Sequence, residues 1–420
     1  MNILVVGGGG REHAICHKLS QSASAEKIYC APGNFGISRH AETVDIDSKS
    51  FAELIAFAAE KSVDLAVIGP DGPLADGLSD AFNEAGIKCF GPTKDAARIE
   101  SSKAFAKGLM SKYGIPTAGY RVFDNFDSAA AYAGTAAMPL VVKASGLALG
   151  KGVVVCRTAD EAREALGDMF LGGKFGESGK TVVAEEFLSG PEVSVLAFCD
   201  GETIAPMISA RDHKRALDGD LGPNTGGMGA VAPCPYYTEE MAERVEREII
   251  SPTMAALAAE GIRFVGVIYF GIILTESGPK LLEYNARFGD PETQAVLPLL
   301  EGDLAEIMLA CVEGRLDRAD VRFSGQSAAA VVLASGGYPG GYGKGYPITG
   351  IGDAERIPGV TVYSAGVAGR RGLPVTDGGR VLGVTATGGS LTEAIKKAYA
   401  AAGKIEFTDM FHRRDIGGRL

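Results

Sequence analysis

Four times in its first hundred residues the chain runs through a short apolar segment and stops it with glycine or proline. Residues 3–6 end in Gly7-Gly8-Gly9-Gly10, residues 28–30 in Ala31-Pro32-Gly33-Asn34, Leu65–Ile68 in Gly69-Pro70, and residues 88–90 in Gly91-Pro92. Helical patterns lie between them at 12–21, 50–61 and 74–85, and Ser50 with Glu53 has the form of a capping box. Unbroken apolar runs fit strands covered on both faces, and strand–helix alternation favours an open parallel sheet. Ligand loops of such a sheet lie beyond the carboxyl ends of its strands, where this chain puts its glycines.

From residue 101 the texture changes. A helix is expected at 103–113, short strands at 140–143, 153–155 and 182–185, longer ones at 193–199 and 265–274, and helical patterns at 239–260 and 292–311. Beyond 323 strands return at 328–333, 360–364 and 380–387, followed by a capped helix at 392–402. The stretch 335–352, rich in glycine and tyrosine, reads as an ordered loop or linker. The fold class expected is mixed α/β and α+β in several domains.

Composition narrows the function. Glycine, at 58 of 420 residues, is roughly twice as common as usual, yet there is no Gly-X-Y period and 46% of residues are hydrophobic. The glycines are therefore expected in loops that let backbone approach a ligand. A net charge of −11 disfavours nucleic acid as the main partner, and no apolar run approaches the roughly 20 residues that a bilayer requires. Seven scattered cysteines without a CxxC pair point to reduced thiols, hence a cytoplasmic protein away from membranes.

Five segments carry chemistry. After the first strand, Gly7–Gly10 lead into Arg11-Glu12-His13. Glu12 stands where a dinucleotide fingerprint needs its third glycine, which argues against an oxidoreductase. Gly8, Gly9 and Gly10 at a helix N-terminus, with Arg11, instead suit an anion such as a phosphate; a plain tight turn is the alternative. In Val141–Val153, Lys143 ends a strand and a loop with Gly146, Gly150, Lys151 and Gly152 precedes the next. Such a loop can fold over a triphosphate, or be a glycine-rich hairpin with solvated lysines. In the strand that reaches Glu185, followed by Glu186, Phe187, Leu188 and then Glu192, backbone beyond the strand can pair with an adenine edge and a carboxylate with ribose.

In the fourth segment, 282–292, Glu283 and Asn285 share a strand face by the two-residue period and offer hard oxygen ligands to Mg²⁺. Arg287, two positions on, can offset charge on a transferring phosphoryl group. The fifth joins Asp212-His213-Lys214 to the loop Asn224-Thr225-Gly226-Gly227-Met228-Gly229, a pattern suited to embracing a substrate or forming a mobile surface loop. No HExxH or GxSxG motif is present.

Together these residues resemble the phosphoribosylamine–glycine ligase family of ATP-grasp enzymes. The resemblance rests on Arg287-Phe288-Gly289-Asp290-Pro291-Glu292-Thr293-Gln294, Gly9–Ala14, Ala31–Asn34, Gly91-Pro92-Thr93, Asp212-His213-Lys214, Pro223–Gly229 and Arg413-Arg414-Asp415-Ile416-Gly417. It implies a pre-ATP-grasp parallel-sheet domain at 1–100, an ATP-grasp body at 101–320 with a mobile lid at about 120–188, and a β-rich carboxyl-terminal domain at 325–420. Lys103 and Lys143 would contact ATP phosphates under the 146–152 loop, Glu185 to Leu188 would hold adenine, and Glu192 ribose. Glu283 and Asn285 would bind Mg²⁺ (or Mn²⁺). Arg287, Asp212 and Lys214 would be catalytic. Gly8–Arg11, Asn224, Gly226 and Asp290 would face substrate.

The activity implied is ligation of glycine to 5-phosphoribosylamine through glycyl phosphate, with ADP and phosphate released, in purine biosynthesis. A monomer is expected rather than an obligate oligomer. Two positions depart from common ATP-grasp patterns. Ser145 stands where this family commonly has Asp, and the strand 267–272 lacks the carboxylate many ATP-grasp enzymes use as an extra metal ligand. The competing readings are an ATP-grasp ligase or carboxylase for formate or bicarbonate, and a non-catalytic nucleotide-binding protein.

Overall fold

The computed structural model describes residues 1–148 and 152–418. Strands β1 (Asn2–Gly7), β2 (Lys27–Pro32), β3 (Glu42–Thr43), β4 (Leu65–Ile68) and β5 (Cys89–Phe90) form the expected parallel sheet, in the order β3-β2-β1-β4-β5. The order reverses between β1 and β4, the place where open sheets of this kind receive ligands. Helix α1 (Gly10–Leu19) follows the glycine loop, and α2 (Phe51–Glu60) follows β3. Ser50 precedes α2, but its side chain makes no capping hydrogen bond, so the capping box read there is not formed. The helix expected at 74–85 is two helices, α3 (Asp71–Asp76) and α4 (Leu78–Glu84), because Gly77 between them adopts φ +98° and ends the first in the left-handed conformation.

After α5 (Arg98–Ser101) and α6 (Lys103–Lys112), a four-stranded sheet is built from β6 (Tyr120–Phe123), β7 (Leu140–Ala144), β8 (Val153–Cys156) and β9 (Val182–Glu186), ordered β6-β9-β7-β8. It carries α7 (Phe126–Ala133) and α8 (Ala159–Phe170) over its own apolar core of Leu140, Val142, Leu166, Met169 and Val182. This layer thus packs around a core of its own. The body sheet has the order β11-β10-β16-β17, from β10 (Glu192–Cys199), β11 (Ile204–Pro206), β16 (Gly266–Thr275) and β17 (Gly278–Asn285).

The carboxyl-terminal sheet contains β18 (Ser327–Ser335), β19 (Val360–Ser364), β22 (Arg380–Gly388) and β23 (Met410–Phe411), and two strands from the middle of the chain join it. These are β12 (Arg211–Asp212) and β15 (Gly229–Ala232), the latter antiparallel to β18. Between them β13 (Arg215–Leu217) and β14 (Leu221–Asn224) make a separate ribbon, and β20 (Val367–Arg370) pairs β21 (Leu373–Thr376). The helical stretch 239–259 holds a π turn at Glu246–Ile250 just before Pro252, which has no N–H to continue the ladder. The stretch 292–311 is interrupted by Pro298 and Gly302, leaving Glu292–Val296 and Leu304–Glu313 as helices.

All seven cysteines are free and buried. Among the described residues no helix is long and apolar enough to cross a membrane.

Candidate active site

The β6-β9-β7-β8 layer meets the body at α6. Ser102 caps this helix by accepting from the Phe105 N–H at 3.2 Å. Ser145, just past β7, adds a second tie: its hydroxyl accepts from the Ala104 N–H at 3.1 Å and its carbonyl from the Lys103 N–H at 2.8 Å. The Ser145 side chain thus helps hold the end of β7 against the start of α6. Lys103 Nζ donates to the Gly146 carbonyl at 3.1 Å. Lys143 Nζ lies 3.0 Å from Glu185 Oε2, and Glu185 is 2% exposed. Gly152 bonds Ala144 at the loop's far end, whereas Gly150 and Lys151 lie outside the described residues.

Two segments, 114–119 and 187–191, lead into and out of the β6–β9 layer, and Glu186 ties them. Its backbone N–H donates to the Gly119 carbonyl and its carboxylate accepts from the Gly119 N–H, both at 2.9 Å. Phe187 is exposed beside it and Leu188 half-buried, at the edge where an adenine is expected.

Strand β17 supplies the opposite wall. Glu283 and Asn285 lie two positions apart on it, as their period requires. Burial pushes the Glu283 carboxyl up, but Lys214, Lys143, Lys103 and Arg287 outweigh it and hold the group below the usual carboxylate range, hence ionised. Lys214 Nζ stands 2.9 Å from Glu192 and 3.8 Å from Glu283. Arg287 donates to Asn285 Oδ1 at 3.0 Å and pairs with Glu100 at 2.8 Å, while its Nε is buried without a hydrogen-bond partner. Among the described residues no three His, Cys, Asp or Glu side chains converge as a metal cage. One ionised carboxylate and one amide oxygen fit a Mg²⁺ that takes its remaining ligands from phosphates and water.

The third wall is the loop at 289–292. Asp290 accepts from Gln294 Nε2 at 2.8 Å and pairs with Arg380 of β22 at 3.0 Å. Arg380 also donates to the carbonyls of Gly226 at 2.5 Å and Asp290 at 2.8 Å. Gly227 passes this corner at φ +109°, and a Cβ there would meet Pro291 at 2.3 Å. Glu292 is 3% exposed and accepts from Ser194, whose hydroxyl is 2.8 Å from the Tyr269 hydroxyl. Asp212 Oδ1 is buried with no hydrogen-bond partner, and burial followed by the charge of Glu292 pushes its carboxyl well above the usual range.

The glycine loop after β1 reaches the same corner. It is less bare than the sequence implies. Glu12 folds back so that its carboxylate accepts from the Gly9 N–H at 2.6 Å, which puts an anion of the chain's own at the helix N-terminus. Arg11 spans to the carbonyls of Gly69 at 2.8 Å and Gly289 at 3.4 Å. Asn34 fixes Gly8 through its carbonyl at 2.9 Å. A Cβ on Gly8 would stand 2.5 Å from the Gly33 carbonyl oxygen, so bare backbone is required for this approach.

Family models for the phosphoribosylglycinamide synthetase N domain, ATP-grasp (A) domain and C domain match residues 1–100, 101–293 and 328–419. The chain belongs to the phosphoribosylglycinamide synthetase family. A phosphoribosylamine–glycine ligase of Mesorhizobium japonicum is 49% identical over 417 residues, covering 99% of this chain and 98% of that protein. The crystal structure of a phosphoribosylamine–glycine ligase from Thermotoga maritima superposes with TM-score 0.84 at 33% identity, covering 99% of this chain and 100% of that one. The biotin carboxylase domain of a Hydrogenobacter thermophilus 2-oxoglutarate carboxylase shares the fold, with TM-score 0.73 at 16% identity over 98% of this chain and 91% of that one.

In this phosphoribosylglycinamide synthetase, Lys103, Lys143, Lys214 and Arg287 all act on the charge of Glu283, while Glu185 pairs with Lys143, Glu192 with Lys214 and Asn285 with Arg287, so these residues form one charged cluster. Arg11, Gly226 and Asp290 meet at Arg380 and the 289–292 loop. Asn224 stands apart from those contacts, in register with Arg215 on the ribbon. Sequence reasoning missed Glu100, Lys107 and Arg380. Glu100 and Arg380 carried no motif of their own, and Lys107 carried only its spacing of four from Lys103, which puts both on one helix face.

Proposed function

We propose that the chain ligates glycine to 5-phosphoribosylamine at the expense of ATP, giving glycinamide ribonucleotide, ADP and phosphate as a cytoplasmic step of purine biosynthesis. The observation that carries this reading is Glu283, held ionised among four cations with Asn285 beside it, on the wall opposite Lys143. ATP would lie between lid and body, with adenine at 185–188, ribose at Glu192 and phosphates at Lys103 and Lys143. Mg²⁺ (or Mn²⁺), held by Glu283 and Asn285, would supply charge neutralisation to the phosphates. Arg287 stands where charge builds on the transferring group.

Glycine's carboxylate oxygen attacks the γ-phosphorus and ADP leaves, giving glycyl phosphate. The amine of phosphoribosylamine then attacks the acyl carbon, phosphate departs with the carbon–oxygen bond, and the amine loses a proton. Asp212, with its unpartnered buried oxygen, is placed to accept from glycine's ammonium. Arg11 and the glycine loop face the ribose phosphate. Little covalent chemistry falls to the protein, which positions reactants and excludes water from an acyl phosphate that water destroys.

The test is ADP release that requires glycine and phosphoribosylamine together, the latter formed in situ from ribose 5-phosphate and ammonia. Equal turnover with formate or bicarbonate in place of glycine overturns the assignment.

A further inference from the structure

Lys107 lies one turn after Lys103 on α6 and is 2% exposed. Its Nζ stands 2.9 Å from Glu185 Oε2 and donates to Thr117 Oγ1 at 2.7 Å. Thr117 donates in turn to the carbonyl of Leu281 at 2.6 Å, two positions before Glu283 on β17. Lys143 Nζ is 3.0 Å from either oxygen of Glu185. One buried carboxylate therefore faces two ammonium groups, and the two are not equivalent. Lys143 ends β7 at the mouth of the 146–152 loop, while Lys107 is pinned through Thr117 to the body.

A buried carboxylate with a single cation is left unpaired if that cation moves away, at a cost of several kcal/mol. Were Lys143 the only partner of Glu185, each nucleotide that drew Lys143 toward its phosphates would bear that cost. A second, fixed cation removes it. Before nucleotide arrives, the three groups carry an excess positive charge, which favours an incoming anion. Burial pulls the Lys107 ammonium down to about 8, and Lys143 adds to this, against the opposing pull of Glu185. Such crowding of like charges is relieved when Lys143 leaves.

Resting on the ATP-site reading above, we propose that Lys107 is a positioning residue that keeps Glu185 charged and in place while Lys143 passes from Glu185 to the phosphates of ATP. Lys143 is then an exchangeable cation, and Lys107 is the one that stays.

The test compares KM for ATP and for glycine, and kcat, in Lys107→Met, Lys107→Gln, Lys107→Arg and Lys143→Met. The Met and Gln variants are expected to raise KM for ATP by about tenfold or more, equivalent to about 1.4 kcal/mol, with KM for glycine changed less than about twofold. Lys107→Gln retains a donor for Thr117 without the charge, so it separates charge from packing if the Met variant folds poorly. Lys107→Arg is expected to restore most of the ATP affinity. Removing the stranded carboxylate in Lys107→Gln/Glu185→Gln is expected to leave KM for ATP no higher than in Glu185→Gln alone. Wild-type KM for ATP in Lys107→Gln, or an equal rise for ATP and glycine, overturns the proposal. Wild-type KM for ATP in Lys143→Met overturns the ATP-site reading itself, whereas a rise there with none in the Lys107 variants defeats only the role of Lys107.

Discussion

Arg380 Nη2 lies 3.0 Å from Asp290 Oδ2, joining the carboxyl-terminal sheet to the loop that follows β17. The same guanidinium holds the Gly226 carbonyl, so one side chain sets the spacing between the two loops proposed to face substrate. Its own strand contributes no other residue to the proposed chemistry. Arg380→Met leaves Asp290, 14% exposed, without its cation in a crowded corner. The expected loss in kcat/KM for phosphoribosylamine is about 100-fold, or about 3 kcal/mol. Arg380→Lys, which cannot span both loops, is expected to recover only part of it. Steady-state kinetics at saturating ATP and glycine decide the point, and unchanged values would show that the loops hold their spacing without Arg380.

Glu283→Gln removes the charge of the proposed metal ligand but keeps size and hydrogen-bonding shape. Turnover is expected to fall by roughly 1,000-fold with the thermal midpoint nearly unchanged. Added chelator is expected to abolish wild-type ADP release, with Mg²⁺ or Mn²⁺ restoring it. A fully active Glu283→Gln would place the metal elsewhere.

Low pH is expected to weaken the seam between the amino- and carboxyl-terminal domains. His13 is 1% exposed and its Nδ1 accepts from the Ser364 N–H at 2.7 Å, which the protonated ring cannot do. His17 reaches the Tyr363 hydroxyl at 3.3 Å, and its ring lies 4.6 Å from that of His40. Burial, with His40 next, pushes His13 down to about 3 and His17 to about 4. Both titrate near 6.5 when unfolded, so the unfolded chain takes up protons first as pH falls. The stability they confer is therefore complete above about 6.5 and is lost progressively down to about 4 for His17 and about 3 for His13, with a slope of about 1.4 kcal/mol per pH unit for each histidine. Urea midpoints at pH 7, 6 and 5 should show this slope, and His13→Asn should flatten it. Identical slopes in the two proteins would remove His13 from the account.

Arg413 is expected to matter far beyond its position. It pairs through two nitrogens with Asp415 at 2.8 Å each, with Asp220 at 2.8 Å, and with the carbonyl of Arg215 at 3.1 Å. Arg414 and the Gly219–Asp415 contact close on the same turn. These contacts clamp the β13–β14 ribbon whose base carries Lys214. Arg413→Met is expected to cost about 3 kcal/mol of stability and to raise KM for the substrates that meet Lys214. Loss of stability without any kinetic change would limit the clamp to folding.

Much of this was legible before any coordinates, and the exceptions share a cause. The parallel sheet followed from four apolar runs ended by glycine or proline, and the pairing of Glu283 with Asn285 from the two-residue period. Helix α8 was missed although Thr158 and Glu161 carry the Thr-x-x-Glu signal: Thr158 Oγ1 accepts from the Glu161 N–H at 3.2 Å, and the Glu161 carboxylate accepts from the N–H of Arg157, one residue before the cap, at 2.7 Å. What no local pattern could reveal is pairing across long distances. Strands β12 and β15 enter a sheet otherwise built about 100 residues later, and Arg380 meets Gly226 across 154 positions. The glycine- and tyrosine-rich stretch gained its role only in three dimensions: the Tyr338 hydroxyl accepts from the Gly226 N–H at 3.1 Å, and its ring lies over Gly379, where a Cβ would be 2.1 Å away.

The clamp on the ribbon also orders events during synthesis. Asp218 and Arg414 are 196 positions apart. At about 5–20 residues per second the ribbon would emerge roughly 10–40 s before its clasp. Throughout that interval Leu217 and Leu221, both exposed even in the finished fold, hang on an unanchored loop. A nascent chain halted short of residue 413 would hold nearly every residue proposed for chemistry and still lack the fastening for Lys214. Activity would be switched on only by the arrival of residues 413–415.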